Sequence, residues 1–128
     1  MTVVLDASAV LAALLGEAGA DEVDARIDGA LMTTVNLAEV AGHFAKAGAD
    51  RTKVSALLAA LPITYLAPDE DLAMEAGLMR PAGEPFGLSL GDRFCLAQAR
   101  RLDAVALTAD RAWTAAGGAL GVKVDVIR

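Results

Sequence analysis

A single cysteine, Cys95, is all the 128-residue chain carries, so no disulfide can form within it and the paired Cys/His spacings of a zinc site are missing. Aromatic residues make up 4%, too few for the stacking surfaces with which many proteins hold single-stranded nucleic acid. Positive charge is also scarce: 11 Lys and Arg stand against 17 Asp and Glu, for a net charge of −6. This excludes a broad basic field for gripping phosphate backbones, and any phosphate contact needs a local device. The longest apolar run, Ala7 to Leu15 with Ser8 inside it, is too short for a bilayer span. Met1 to Leu5 lacks a basic start and meets a charge at Asp6, unlike a signal peptide. We therefore expect a soluble chain in the reducing cytoplasm, with no membrane contact. The Gly-x-x-x-x-Gly-Lys-Ser/Thr phosphate loop is absent, which excludes P-loop nucleotide binding, and Ser8 has neither a His/Asp arrangement nor a Gly-x-Ser-x-Gly turn to support nucleophilic hydrolysis. No linker, repeat or charge block divides the chain, so residues 1–128 read as one unit.

What is present is apolar and regularly punctuated. Hydrophobic residues are 55% of the chain, and a domain of this length buries roughly two thirds of its unfolded surface. Thr2 to Leu5 reads as a strand and Ala7 to Leu15 as a helix stopped by Gly16. Asp21 to Ile27 reads as a second helix and Leu31 to Val35 as a second strand. From Asn36, the residues Leu37, Val40, Ala41 and Phe44 recur at helical spacing. Asp50 to Leu61 follows as a helix broken by Pro62, then Ile63 to Leu66 as a strand. Pro68, Asp69 and Glu70 read as the first turn of a helix reaching Met79. A Pro/Gly loop from Pro81 to Gly87 precedes a helix from Leu90 to Leu102. Ala104 to Leu107 is strand-like, Asp110 starts a short helix ending near Gly117, and Val122 to Val126 alternates as a last strand. Strands separated by helices mean right-handed crossovers, a mainly parallel sheet and a three-layer α/β fold.

In such sheets ligands bind beyond the carboxyl ends of the strands. Asp6 ends the first strand, Asp110 follows the strand near Thr108, and Asp92 opens the helix after the Pro/Gly loop. Glu39 lies in the first turns of the helix after the second strand, where Asn36, Glu39 and His43 form a polar stripe beside the core face. Taken singly, Asp6 and Asp110 read as helix N-caps, Asp92 as an acid complementing the helix dipole, and Glu39 as a solvated position. Taken together, four acids from four elements can converge at one sheet edge. Two carboxylates about 4 Å apart repel by about 4 kcal/mol at an effective dielectric near 20. Mg²⁺ or Mn²⁺, which prefer oxygen ligands and suit carboxylates, would neutralise them.

Four segments carry a resemblance: Val4-Leu5-Asp6-Ala7-Ser8-Ala9, Asn36-Leu37-Ala38-Glu39-Val40, Ser89-Leu90-Gly91-Asp92-Arg93-Phe94-Cys95-Leu96-Ala97, and Leu107-Thr108-Ala109-Asp110-Arg111-Ala112-Trp113. In order and context they resemble the PIN domain in its VapC toxin form, over essentially the whole chain. The resemblance implies a PIN fold, Mg²⁺- or Mn²⁺-dependent endoribonuclease activity and a cognate VapB-type antitoxin. It carries an acidic quartet onto Asp6, Glu39, Asp92 and Asp110, with Thr108 as an accompanying hydroxyl.

Around these, Ser8 is expected to cap the first helix or to bond to a metal-bound water. Arg93 and Arg111 are weak candidates for RNA contact. His43 has no partner acid other than Glu39, so a surface or supporting role suits it better than that of a general base. Cys95 reads as a packed residue, Trp113 and Met74 or Met79 as core or interface rather than RNA-stacking groups, and the Val54/Leu57/Leu58/Leu61 face suits a homodimer or an antitoxin helix. Two other classes share these features. A catalytically silent interaction module would keep the fold without cleavage. A phosphoacceptor signalling domain would place paired acids after the first strand, where this chain has Asp6 followed by Ala7 and Ser8.

Overall fold

Short runs of three or four residues become strands here, and the helical segments between them pack over both faces of the sheet they form. The computed structural model describes residues 1–128. The order is β1 (Val3–Leu5), α1 (Ala7–Leu15), α2 (Ala20–Asp24), β2 (Leu31–Thr33), α3 (Thr34–Lys46), α4 (Arg51–Ala59), β3 (Thr64–Leu66), α5 (Glu70–Leu78), α6 (Arg80–Gly83), α7 (Leu90–Arg101), β4 (Val105–Thr108), α8 (Trp113–Leu120) and β5 (Lys123–Val126). The strands form one sheet in the order β3-β2-β1-β4-β5, with every pairing parallel.

Side chains alternate across the two central strands and feed two cores. Val4 and Ala106 join Leu72, Phe94, Leu96 and Trp113 on one face. Val3, Leu5 and Leu107 join Val10, Val23, Met32 and Val40 on the other. Both faces are covered, as a parallel sheet requires, and the expected three-layer α/β architecture is the one observed.

The connections then place the site. From β1 the chain steps to β2 and β3, returns through α5, α6 and α7 to the opposite side of β1, and continues from β4 to β5. This reversal leaves a switch point between β1 and β4. Pairing of Leu5 with Leu107 brings the carboxyl ends of those two strands level, so the residues that follow them are neighbours at the place where open α/β sheets take ligands.

Several boundaries differ from the sequence reading, each for a local reason. Asp69, not Pro68, begins the helix: its side chain accepts from the Leu72 N–H at 2.8 Å, and Pro68 lies outside. The expected Pro81–Gly87 loop is ordered, as α6 with Pro81 in its first turn and then a 3-10 turn over Glu84–Phe86. The second strand stops at Thr33 because the Thr33 hydroxyl caps α3, accepting from the Asn36 N–H. The last helix starts at Trp113, after a turn, and runs to Leu120 where Gly121 adopts φ 69°.

Candidate active site

Asp6 is set by the strand it terminates. Its backbone N–H donates to the Leu107 carbonyl at 2.9 Å, extending the β1–β4 ladder by one residue. Its side chain is 5% exposed and makes no helix-capping bond, which corrects the cap reading. Instead Oδ2 accepts the hydroxyls of Ser8 at 2.6 Å and Thr108 at 2.8 Å. Ser8 does not cap the first helix either: its oxygen accepts from the Ala109 N–H at 2.9 Å, tying the start of α1 to the end of β4. Burial pushes the Asp6 carboxyl up to about 6, against the pull of the two hydroxyls and with further repulsion from Asp92 and Glu39.

Glu39 arrives from the adjacent strand through α3. Its Oε1 accepts from Asn36 Nδ2 at 2.8 Å, and burial together with the Asp92 charge raises its pKa against that bond. Asp92 sits three residues into α7 in a reciprocal cap. The Ser89 N–H donates to Asp92 Oδ2 at 2.8 Å, and the Ser89 hydroxyl accepts from the Asp92 N–H at 3.2 Å. The helix-end reading of Asp92 therefore describes one of its oxygens. Its pKa is nonetheless raised, first by burial and also by Asp110, against the Ser89 hydrogen bonds and the weaker pull of Arg93. Asp110 is exposed; its Oδ1 accepts from the Ala112 N–H at 3.0 Å, an Asx turn before α8 rather than a cap of it.

These four acids line one open pocket of about 510 Å³, together with Ser8, Leu11, His43 and Lys46. In each carboxylate one oxygen is fixed by the protein, and the other has no side-chain or backbone partner. No three of the acids are drawn together into a ready-made chelate. The donor set still fits a hard cation: it is all oxygen, it is electrostatically strained by its own charge, and Mg²⁺ typically takes one or two carboxylates while keeping several waters.

The two arginines fare differently from expectation. Arg93 is 8% exposed, and its Nη1 donates to the carbonyls of Ala76 at 2.9 Å and Gly77 at 3.4 Å. A guanidinium committed to the C-terminal turn of α5 is not offered to RNA, so that expectation is corrected. Arg111 stays on the surface, where its Nε donates to the Arg128 carbonyl at 3.0 Å and its side chain is not part of the pocket lining. The cation that does reach the pocket is one the sequence reading passed over. Lys46 extends the Asn36/Glu39/His43 stripe of α3 by one more turn, exposed at the rim and outside all five ion pairs. Its place in that helical repeat was the available signal. A second cleft, apolar and lined by Leu37, Ala41, Val54 and Leu58, runs between α3 and α4.

The fold and the pocket define a class: a parallel α/β protein with a carboxylate cluster at the switch point of its sheet. Within that class, the chain belongs to the PIN domain family, whose model matches residues 3–119. Solved structures share the fold over nearly its whole length. The DNA-bound VapBC complex of Salmonella typhimurium aligns with a TM-score of 0.76 at 14% identity, covering 100% of this chain and 99% of the other. The sarcin-ricin loop cleaving toxin VapC20 of Mycobacterium tuberculosis aligns at 0.71 and 20% identity, over 90% and 95%. FitAcB of Neisseria gonorrhoeae aligns at 0.69 and 18%, over 98% and 97%. No curated protein sequence matches the chain.

Proposed function

We propose that this protein is a divalent-metal-dependent endoribonuclease and the toxin of a toxin–antitoxin pair. The observation that carries the reading is the pocket itself: Asp6, Glu39, Asp92 and Asp110 all line it, each with one oxygen anchored and one open. Membership of the PIN family supports it, as do fold relatives described as VapBC complexes and as an RNA-loop-cleaving toxin.

Asp6 and Asp92 are the first choices to hold Mg²⁺ or Mn²⁺, and Glu39 and Asp110 would support it from the same pocket. When bound, the cation supplies Lewis acidity toward a phosphoryl oxygen and a lowered pKa for water. The protein's own groups do the rest. Ser8 and Thr108 hold the Asp6 carboxylate in one orientation through Oδ2. Glu39 and Asp110 accept hydrogen bonds from water at the pocket and orient it toward the phosphorus. Lys46, at the rim, meets a phosphate flanking the scissile one and offsets the repulsion that an acidic protein exerts on RNA.

The antitoxin partner is assigned to the apolar cleft between α3 and α4, which suits the non-polar face of a helix. A homodimer would use the exposed Met74, Leu78 and Leu90.

The test is cleavage of RNA by the purified chain with Mg²⁺ or Mn²⁺, with the cut ends mapped. Asp6→Asn and Asp92→Asn are each expected to lower the rate by at least about 100-fold, as loss of a major charge-stabilising group does, while far-UV circular dichroism stays unchanged. Undiminished cleavage by both variants would refute the assignment. No cleavage by the native chain with either metal would leave a silent interaction module.

A further inference from the structure

Glu39 does not stand free on its helix. Asn36, fully buried one turn earlier, uses one side-chain N–H for each of two acceptors: Glu39 Oε1 at 2.8 Å and the Gly91 carbonyl at 3.0 Å. Its own Oδ1 accepts the Thr33 hydroxyl at 2.7 Å, which fixes the amide plane from the end of β2. Both donors and the acceptor of the side chain are therefore matched, and the amide cannot turn without leaving a buried group unpaired. Directly opposite lies Gly91. A Cβ on that residue would fall 2.5 Å from the Glu39 carboxyl carbon and 2.5 Å from Oε1, far inside contact distance. This glycine has an ordinary helical backbone, and no positive φ calls for it. What requires it is the carboxylate lying against its Cα.

We infer that Asn36 and Gly91 form a seat for Glu39 that sets its spacing from Asp92, making both of them positioning residues for the metal-binding pocket. Asn36 spans α3 and α7, joining an acid on the first to the carbonyl just before an acid on the second. Gly91 lets the two helices close until the Glu39 carboxylate rests on the first turn of α7, one residue from Asp92. Two acids from separate helices are thus referred to a single amide. The inference rests on the proposed metal-dependent reading and deepens it. Groups that orient a metal ligand typically change affinity by about 10- to 100-fold when removed.

The test uses Mn²⁺ alone, titrated calorimetrically into the full chain, with thermal unfolding in EDTA as a second readout. Gly91→Ala should weaken Mn²⁺ binding by about tenfold or more. It should also lower Tm, although Gly to Ala inside a helix ordinarily stabilises. Combined with Glu39→Ala, which empties the seat, the same Gly91→Ala change should no longer lower Tm. If Gly91→Ala leaves Mn²⁺ affinity unchanged, or lowers Tm equally with and without Glu39, the seat does not exist. Asn36→Ala should weaken Mn²⁺ binding by a similar factor, and Asn36→Asp should not rescue it because a carboxylate cannot donate to Glu39 Oε1 or the Gly91 carbonyl. Full affinity in Asn36→Asp would overturn the role of the amide. Failure of the underlying reading looks different: Asp6→Asn and Asp92→Asn would then also leave Mn²⁺ binding intact.

Discussion

Asp6 joins the stability of the protein to the chemistry of its pocket. The unfolded chain ionises this carboxyl near 3.8, whereas the folded protein holds the proton until about 6. Between those values the folded state binds more protons, so stability contributed by Asp6 falls as pH rises from about 4 to 6 and stays reduced above. At about 1.36 kcal/mol per pH unit the reduction is about 3 kcal/mol. Glu39 and Asp92, also raised, act in the same direction. In EDTA, Tm is therefore expected to be higher near pH 5 than at pH 7.5. Asp6→Asn, which still accepts the two hydroxyls, should raise Tm at pH 7.5 and flatten the profile; a profile identical to the native one would show that Asp6 carries no such strain. Lys46 is argued at the same scale. Lys46→Ala should weaken RNA binding and reduce the slope of log affinity against log salt by about 0.7, the value of one single-strand phosphate contact. An unchanged slope would remove Lys46 from the RNA path.

Among the elements, α7 does most to shape the site. Its N-terminal turn carries Asp92, and one residue later Arg93 reaches under α5 to its last carbonyls. Arg93→Ala removes the guanidinium donor from the buried Ala76 carbonyl and is expected to destabilise by about 2 kcal/mol. Chemical denaturation would measure that loss, while the salt slope of RNA binding should not move. A changed slope with unchanged stability would restore Arg93 as an RNA contact. This residue shows where sequence reading reached its limit. The strand–helix alternation, the order of elements and the junction positions of Asp6, Asp92 and Asp110 were legible, because β-branched runs, Gly stops and the strand-end rule are local signals. Whether Arg93 points to solvent or to α5 depends on a helix 17 residues earlier in the chain, and no local pattern records it. Pro81 and Pro85 misled for the opposite reason: both residues suit the first turn of a short helix as well as they suit a loop. Lys46 was visible as a continuation of the polar stripe, but only the folded pocket shows that the stripe faces the acids.

For the molecule as a whole, the balance of charge decides when the fold is most stable. A chain of net charge −6 that gathers four acids in one pocket gains from any ion that binds the folded state alone. Free ligand at 100 times its dissociation constant stabilises by about 2.7 kcal/mol. Adding Mg²⁺ or Mn²⁺ at saturating concentration should therefore raise Tm by several degrees, EDTA should reverse the gain, and Asp6→Asn combined with Asp92→Asn should abolish it. An equal gain in that double variant would place the ion elsewhere on the surface.

The strand order carries one more implication. Asp6 follows the first strand, whereas Thr108, whose hydroxyl grips it, belongs to the fourth strand and lies 102 positions later. Nascent chains halted before that strand lack both this hydroxyl and Asp110, and they expose one side of β1 with nothing to pair it. Completion of the pocket thus waits on the emergence of the fourth strand, and until then vectorial synthesis leaves Asp6 without the hydroxyl that grips it.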